Sequence, residues 1–294
     1  MFPNAFKYEA PTSVDEAIHL MDEYGYDGKV LAGGQSLIPM MKLRVAAPAV
    51  IIDINNLDEL KGWSKVNGKL RIGAVTRQAE LEHATELREQ FPILSRTAYW
   101  VADSLIRNLG TVVGSLVHAD PASDWGTAMI AVNAVVEARG PKGERLIPID
   151  EFFVDTFASS LDENELAVAV HLPIPTKPVA ARYMKLKRKA GDFAIAGLAV
   201  QVALDSDGRV SEAGIGICNC GPTPLRAIKA EEALIGERLT AKTIEDISKL
   251  VPEDADPVSD LRGSADYKKD LLRVFAARAL RETAEELQGK VEVQ

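Results

Sequence analysis

Two glycine-bearing stretches roughly eighty residues apart hold the residue types best suited to chemistry in this chain. The first is Ala32-Gly33-Gly34-Gln35-Ser36-Leu37. The second is Thr111-Val112-Val113-Gly114-Ser115, followed closely by Asp120-Pro121-Ala122-Ser123-Asp124. Each reads as a loop where a strand-like run gives way to irregular or helical chain. Glycine there lets backbone N–H groups face a ligand without side-chain obstruction, and the hydroxyls of Ser36, Thr111 and Ser115 add donors. Such a concavity of N–H groups suits phosphate. An ionised aspartate only accepts hydrogen bonds, so Asp124 suits sugar hydroxyls rather than phosphate. Two such loops and a carboxylate point to a dinucleotide stretched between them.

The spacing excludes the commonest dinucleotide and nucleotide motifs. A Rossmann fingerprint reads G-x-G-x-x-G, with an acidic residue about 20 positions later. Gly33-Gly34-Gln35-Ser36-Leu37-Ile38 lacks the third glycine, and no G-K-[ST] follows to make a Walker A loop. Gly33-Gly34 alone also serves as a tight turn, the usual solution where φ is positive.

The A-G-G-x-S-L loop, the T-x-x-G-S loop and the A-D-P-A-S-D run together resemble the FAD-binding medium subunit of the molybdenum hydroxylases. That family includes the flavoprotein of aerobic carbon monoxide dehydrogenase and the flavin domain of xanthine dehydrogenase. The resemblance runs nearly end to end. It includes Ile38 to Arg44 (IPMMKLR), Lys185 to Ala194 (KLKRKAGDFA), Gly221 to Ala227 (GPTPLRA) and Arg262 to Tyr267 (RGSADY). One departure is Val113, where the family usually has glycine; backbone freedom is lost there, and the site is not.

The resemblance implies an α+β fold: a two-subdomain FAD-binding fold of the vanillyl-alcohol-oxidase type, then a smaller C-terminal α+β domain with a three-stranded antiparallel sheet. It implies that Ala32 to Ser36 and Thr111 to Ser115 wrap the pyrophosphate and ribityl regions of FAD, and that Asp124 contacts the cofactor's hydroxyls. Asp120 has a competing role as a turn former before Pro121. Lys185 resembles a lysine near the flavin in relatives. The alternative is a solvated basic stripe of Lys185, Lys187, Arg188 and Lys189, which could also dock an acidic partner. Asp192-Phe193 either sits against the flavin or is a turn and a core residue. His118 lies beside the second loop and either approaches the flavin or bonds a local backbone group.

Positioning these residues requires several elements. Ser13-Val14-Asp15-Glu16 is a capping-box pattern before a helix that Gly25 stops. Lys29 to Ala32 and Ala49 to Ile54 read as strands, with a short helix over Ser36 to Arg44 between them, giving a small unit that ends near Leu57. Lys65 to Val75 contains the hairpin signal Asn67-Gly68. Helical patterns cover Thr76 to Ala84 and Pro92 to about Arg107, with proline in the first turn of the latter. Ala134 to Ile149 reads as a hairpin around Gly140 to Gly143, and Glu165 to Leu172 as a strand. Pro173, Pro175 and Pro178 mark a linker. Strands over Arg182–Arg188, Phe193–Leu204 and Val210–Cys218 follow, with Asp205 to Gly208 as a turn. Helices at Leu225–Ile235, Thr243–Leu250 and Ala265–Gln288 close the chain. The division expected is a FAD-binding domain over 1–177, with subdomains of about 1–57 and 58–177, and a C-terminal domain over 178–294.

Composition narrows the function. A 294-residue chain that is 47% hydrophobic can bury two modest cores. A net charge of −9 argues against a nucleic-acid groove. No apolar run approaches the roughly 18 residues that span a membrane, and the amino terminus lacks a signal-peptide layout. The expectation is a cytoplasmic chain that does not span a membrane. Its two cysteines, Cys218 and Cys220, fall short of the about four thiolates an iron–sulfur cluster takes. On an extended strand they would share one face.

The resemblance therefore implies FAD on this chain, a [2Fe–2S] small subunit and a molybdenum-cofactor-binding large subunit, as a dimer of heterotrimers. Electrons would arrive from the iron–sulfur subunit and leave to an external acceptor. One alternative is a self-sufficient FAD-dependent reductase or oxidase of the same fold; covalent flavin is disfavoured because no His or Cys lies in the first loop. The other is a non-catalytic scaffold that retained the fold.

Overall fold

A computed structural model describes residues 2–292. The first unit runs β1 (Lys7–Glu9), α1 (Val14–Tyr24), β2 (Gly28–Leu31), α2 (Leu37–Lys42) and β3 (Val50–Asp53), with the strands in a parallel sheet of order β1-β3-β2. Ser13 caps α1 by accepting from the Glu16 amide, and Gly25, at φ 48, stops it. Only half of the capping box forms. The Glu16 carboxylate turns instead to the amide and hydroxyl of Thr12.

The second unit begins with β4 (Trp63–Val66) and β5 (Lys69–Gly73), joined at Asn67-Gly68 with both residues at positive φ, as a type I′ turn demands. Five helices follow: α3 (Gln78–His83), α4 (Pro92–Trp100), α5 (Ser104–Leu109), α6 (Val112–His118) and α7 (Asp124–Ala131). Next come β6 (Val135–Gly140), β7 (Gly143–Pro148), α8 (Ile149–Phe152), the short pair β8 (Phe153–Asp155) and β9 (Ala158–Ser159), and β10 (Leu166–Pro173). The main sheet has order β4-β5-β10-β6-β7.

Two expectations for this unit fail on geometry. The helix expected over Pro92 to Arg107 is two helices, because Ala102 adopts φ 42 and Asp103 caps a new start by accepting from the Ile106 amide. The second glycine stretch is the first turn of α6 rather than a loop. Thr111 is its N-cap, accepting from the Gly114 amide at 3.0 Å. Val113 therefore occupies ordinary helix, where glycine freedom is unnecessary, and its side chain is buried in the core.

The C-terminal domain contains β11 (Val179–Leu186), β12 (Ala196–Leu204), β13 (Val210–Cys218) and a two-residue β14 (Leu225–Arg226), then α9 (Ile228–Leu234), α10 (Ala241–Leu250) and α11 (Ala265–Glu292). Its antiparallel sheet, β11-β12-β13-β14, has the three long strands expected plus that short fourth one. Alternation along the strands gives the sheet two buried faces. Ala181, Tyr183 and Ala199 join the core of the preceding units, whereas Ala180, Leu198 and Val200 pack with α10 and α11. Helix α7 lies directly on β13. A Cβ at Gly214 would fall 1.9 Å from the Ala131 carbonyl oxygen, and one at Gly216 would fall 2.1 Å from that of Thr127. Glycine is required at both positions by that close approach.

The cysteines do not share a face. Strand β13 ends at Cys218, and Asn219, at φ 57, turns the chain. Cys220 then enters the core beside α10 and α11, while Cys218 stays among Thr127, Tyr183 and Asp124. Both thiols are free and buried.

Candidate functional site

The two glycine stretches are in contact. An added Cβ on Gly33 would stand 2.5 Å from the Leu109 carbonyl oxygen and 2.7 Å from Gly110 Cα, and one on Gly114 would stand 4.0 Å from Ala32 Cβ. The strand β2 thus delivers its loop onto the α5–α6 junction. Glycine freedom in φ is used at Gly34, at +70°; Gly33 is glycine because backbone packs on backbone there.

Three polar side chains that sequence reasoning missed tie the stretches together. The Asn55 amide donates to the carbonyls of Leu31 and Ala32. Arg77 donates to Asn55 Oδ1 at 2.6 Å and to the Leu109 carbonyl at 2.7 Å. Gln78 donates from its backbone to Gly110 and from its side chain to the Thr111 carbonyl. Nothing in their spacing marks them, since each works through partners far away in the chain.

Within the first loop, Gln35 donates to the Gly33 carbonyl. Ser36 opens α2 without capping it. Among the described residues, the amides of Gly33, Gly34, Gln35 and Ser36 donate to no protein group. Four adjacent amides without a protein acceptor are a donor set that an anion can take up. Leu37, the first residue of α2, is half-buried. Across from this loop, Val112 is buried, and the Ser115 hydroxyl lies 3.0 Å from that of Ser123. Ser123 in turn caps α7 by accepting from the Gly126 amide.

Asp124 is the first residue of α7 and is buried. One carboxylate oxygen accepts from the Tyr183 hydroxyl at 2.6 Å, and the other pairs with the Lys185 ammonium at 2.8 Å. Burial pushes the Asp124 carboxyl above its usual range, and Lys185 and Tyr183 oppose that shift. Burial, and then the Asp124 charge, push the Tyr183 phenol well up. Lys185 also donates to the Trp100 carbonyl at 3.3 Å.

The basic stripe divides in two. Lys185 has a side chain only 2% exposed, so solvated-face behaviour begins beyond the end of β11, at Arg188 and Lys189. Lys187 lies between, over the Trp100 ring, and burial lowers its pKa. Asp192 accepts from Arg188 and from the Phe193 amide, as a turn residue does, whereas Phe193 is half exposed and is no core residue. His118 packs against Phe157 with ring centroids 5.1 Å apart, and burial lowers its pKa. Asp120 accepts from the Ala122 amide, the turn role. Among the described residues no group of three potential metal ligands is present.

Comparison with known proteins decides what this arrangement belongs to. Residues 4–175 match the FAD binding domain in molybdopterin dehydrogenase, and residues 181–283 match the CO dehydrogenase flavoprotein C-terminal domain. The chain belongs to the FAD-binding subunits of the molybdenum hydroxylases. It is 39% identical over 280 residues to the carbon monoxide dehydrogenase medium chain of Hydrogenophaga pseudoflava, covering 95% of this chain and 97% of that one. It is 37% identical to the 6-hydroxypseudooxynicotine dehydrogenase complex subunit alpha of Paenarthrobacter nicotinovorans, covering 95% of each. Among solved structures, a carbon monoxide dehydrogenase from Hydrogenophaga pseudoflava superposes with a TM-score of 0.92 at 41% identity, covering 96% of this chain and 98% of that one. Quinoline 2-oxidoreductase from Pseudomonas putida 86 gives 0.91 at 28% identity, covering 98% and 99%.

This flavoprotein is therefore a subunit of an oxidoreductase and carries a FAD-binding domain. The residues present fit that cofactor: free amides line a loop that has no Cβ at its closest approach to the facing segment. Among the described residues no helix is long and apolar enough to cross a membrane.

Proposed function

We propose that this chain is the FAD-bearing electron-transfer subunit of a heterotrimeric molybdenum-containing hydroxylase or dehydrogenase. It accepts electrons from a [2Fe–2S] small subunit and passes them to an external acceptor. Substrate oxidation takes place on a molybdenum-binding large subunit, and the assembly is a cytoplasmic dimer of heterotrimers. The chain divides into a FAD-binding domain over 1–177, with subdomains of about 1–57 and 58–177, and a C-terminal domain over 178–294.

The observation that carries this reading is the meeting of the free amides at Gly33 to Ser36 with the α6 turn from Thr111 to Ser115. FAD, when bound, supplies the redox chemistry, and the protein holds and tunes it. The loop from Ala32 to Leu37 and the turn from Thr111 to Ser115 grip the pyrophosphate and ribityl regions. Asp124 and Lys185, fixed to each other, present a carboxylate and a cation to the hydroxyl-bearing and flavin ends. With two buried thiols as its only cysteines, the chain leaves iron–sulfur clusters to another polypeptide. One solved relative at 33% identity is named as a Cu,Mo-CO dehydrogenase, which supports a molybdenum-bearing partner here.

Affinity purification of the chain from its native cells tests the assembly. Two further chains should elute with it, one carrying iron and labile sulfide and one carrying molybdenum. Recovery of FAD-loaded protein free of both, at full yield and mild salt, would overturn the heterotrimer.

A further inference from the structure

Tyr183 and Lys185 stand two residues apart on β11 and so share one face, which packs on α4 and reaches α7 through Asp124. Both donate to Asp124, one to each oxygen. A carboxylate held at only one oxygen can still turn about its terminal torsion, whose wells are broad. Two donors fixed on one strand remove that freedom. The neighbouring strands make room for the phenol. Gly197 on β12 pairs with Lys185 on one side and Cys218 on the other, and a Cβ there would lie 3.1 Å from Cys218 Cβ and from the Met184 carbonyl oxygen and 3.3 Å from the Tyr183 hydroxyl.

We propose that Tyr183 is a positioning residue of the flavin site: its hydroxyl locks the Asp124 carboxylate in the plane that holds the Lys185 ammonium in place. Gly197 is the complementary space that lets the hydroxyl reach Asp124. The proposal rests on the reading that Asp124 and Lys185 face the cofactor. The Tyr183 hydroxyl is engaged by Asp124, so Tyr183 acts on the site through those two residues.

The consequence is a pH signature. The charged and titratable groups facing Asp124 are Tyr183 and Lys185 from β11, Lys187 just past its end, and Cys218 from β13. Hydrogen bonding by Tyr183 favours the ionised carboxylate, while burial favours the neutral one. Without the hydroxyl, the carboxyl takes up its proton at a higher pH. Loss of FAD on acidification should therefore begin at a higher pH in Tyr183→Phe than in the wild type.

Equilibrium FAD titrations of the full chain between pH 5 and 9 test this. Tyr183→Phe should weaken FAD about tenfold at neutral pH, in line with a hydrogen bond to a charged group. It should also displace the acid limb upward. In an Asp124→Asn background the same change should do nothing more. Gly197→Ala, which crowds the hydroxyl together with Cys218 and the Met184 carbonyl, should move both readouts in the same direction. Wild-type affinity and pH profile in the folded variants, or an undiminished Tyr183→Phe effect in the Asp124→Asn background, would overturn the proposal. Lys185→Met separates the two levels. If it leaves affinity and flavin absorption unchanged, the placement of Lys185 at the cofactor fails. If it alters them while Tyr183→Phe does not, the placement stands and the positioning role fails.

Discussion

Gly33→Val should abolish FAD binding at ordinary concentrations, weakening it at least about a hundredfold, or about 3 kcal/mol. The first carbon of any side chain at this position lands 2.5 Å from the Leu109 carbonyl oxygen and 2.7 Å from Gly110 Cα. Both are backbone atoms, so no rotamer relieves the overlap. The loop must separate from the α5–α6 junction, and the amides of Gly33 to Ser36 leave the position that faces it. Gly33 is only partly buried, so the cores should survive. Gly114→Val should be milder. Its Cβ meets Thr111 Oγ1 at 2.6 Å, and that side chain can rotate away at the cost of its cap, typically about 1 kcal/mol. Flavin titration with circular dichroism as a control checks both. Stoichiometric FAD at wild-type affinity in folded Gly33→Val would mean that the wrong loop has been assigned.

Asp124→Ala should cost more than a cofactor contact. Removing the carboxylate strands the Lys185 ammonium, whose side chain is 2% exposed, and the buried Tyr183 hydroxyl. Breaking a buried ion pair from one side costs on the order of 3–5 kcal/mol. A lone cofactor hydrogen bond to a charged group would cost about 1.5–3 kcal/mol, in affinity alone. The larger figure should appear as lost stability of the apo chain in urea denaturation, together with weaker FAD. The pair joins α7 to β11, so the C-terminal sheet should loosen first. An apo Asp124→Ala chain within about 1 kcal/mol of wild type would show that the ion pair contributes little to holding the sheet on α7.

Much of this was readable from residue types. Asn67-Gly68 announces its hairpin because only such residues accept two positive φ values in succession, and both adopt them. Ser13 and Gly25 bracket α1 through local hydrogen bonding and φ. The first glycine stretch lies between a strand and a helix as expected. What failed was governed by distant contacts. Thr111 reads as a loop hydroxyl until its bond to the Gly114 amide makes it a helix cap. Ala102 carries no signal for positive φ, yet it divides one expected helix into two. Lys185 reads in sequence as a lysine near the flavin or as part of a solvated stripe, and its burial could not be read there because it depends on α7 and on the Trp100 carbonyl. Tyr183 could have been found from its place two residues before Lys185 on a strand, which puts both on one face. Asn55, Arg77 and Gln78 could not, since their partners are set by the tertiary packing of the two stretches.

The electron-transfer role is tested most directly by anaerobic reduction of this chain alone and in its native complex. Alone and loaded with FAD, it should be bleached by dithionite and restored by ferricyanide. It should oxidise neither carbon monoxide, nor an aldehyde, nor an N-heterocycle. In the complex, the substrate that the molybdenum subunit accepts should bleach the same flavin band. Steady turnover of any of these substrates by the isolated chain would contradict the account.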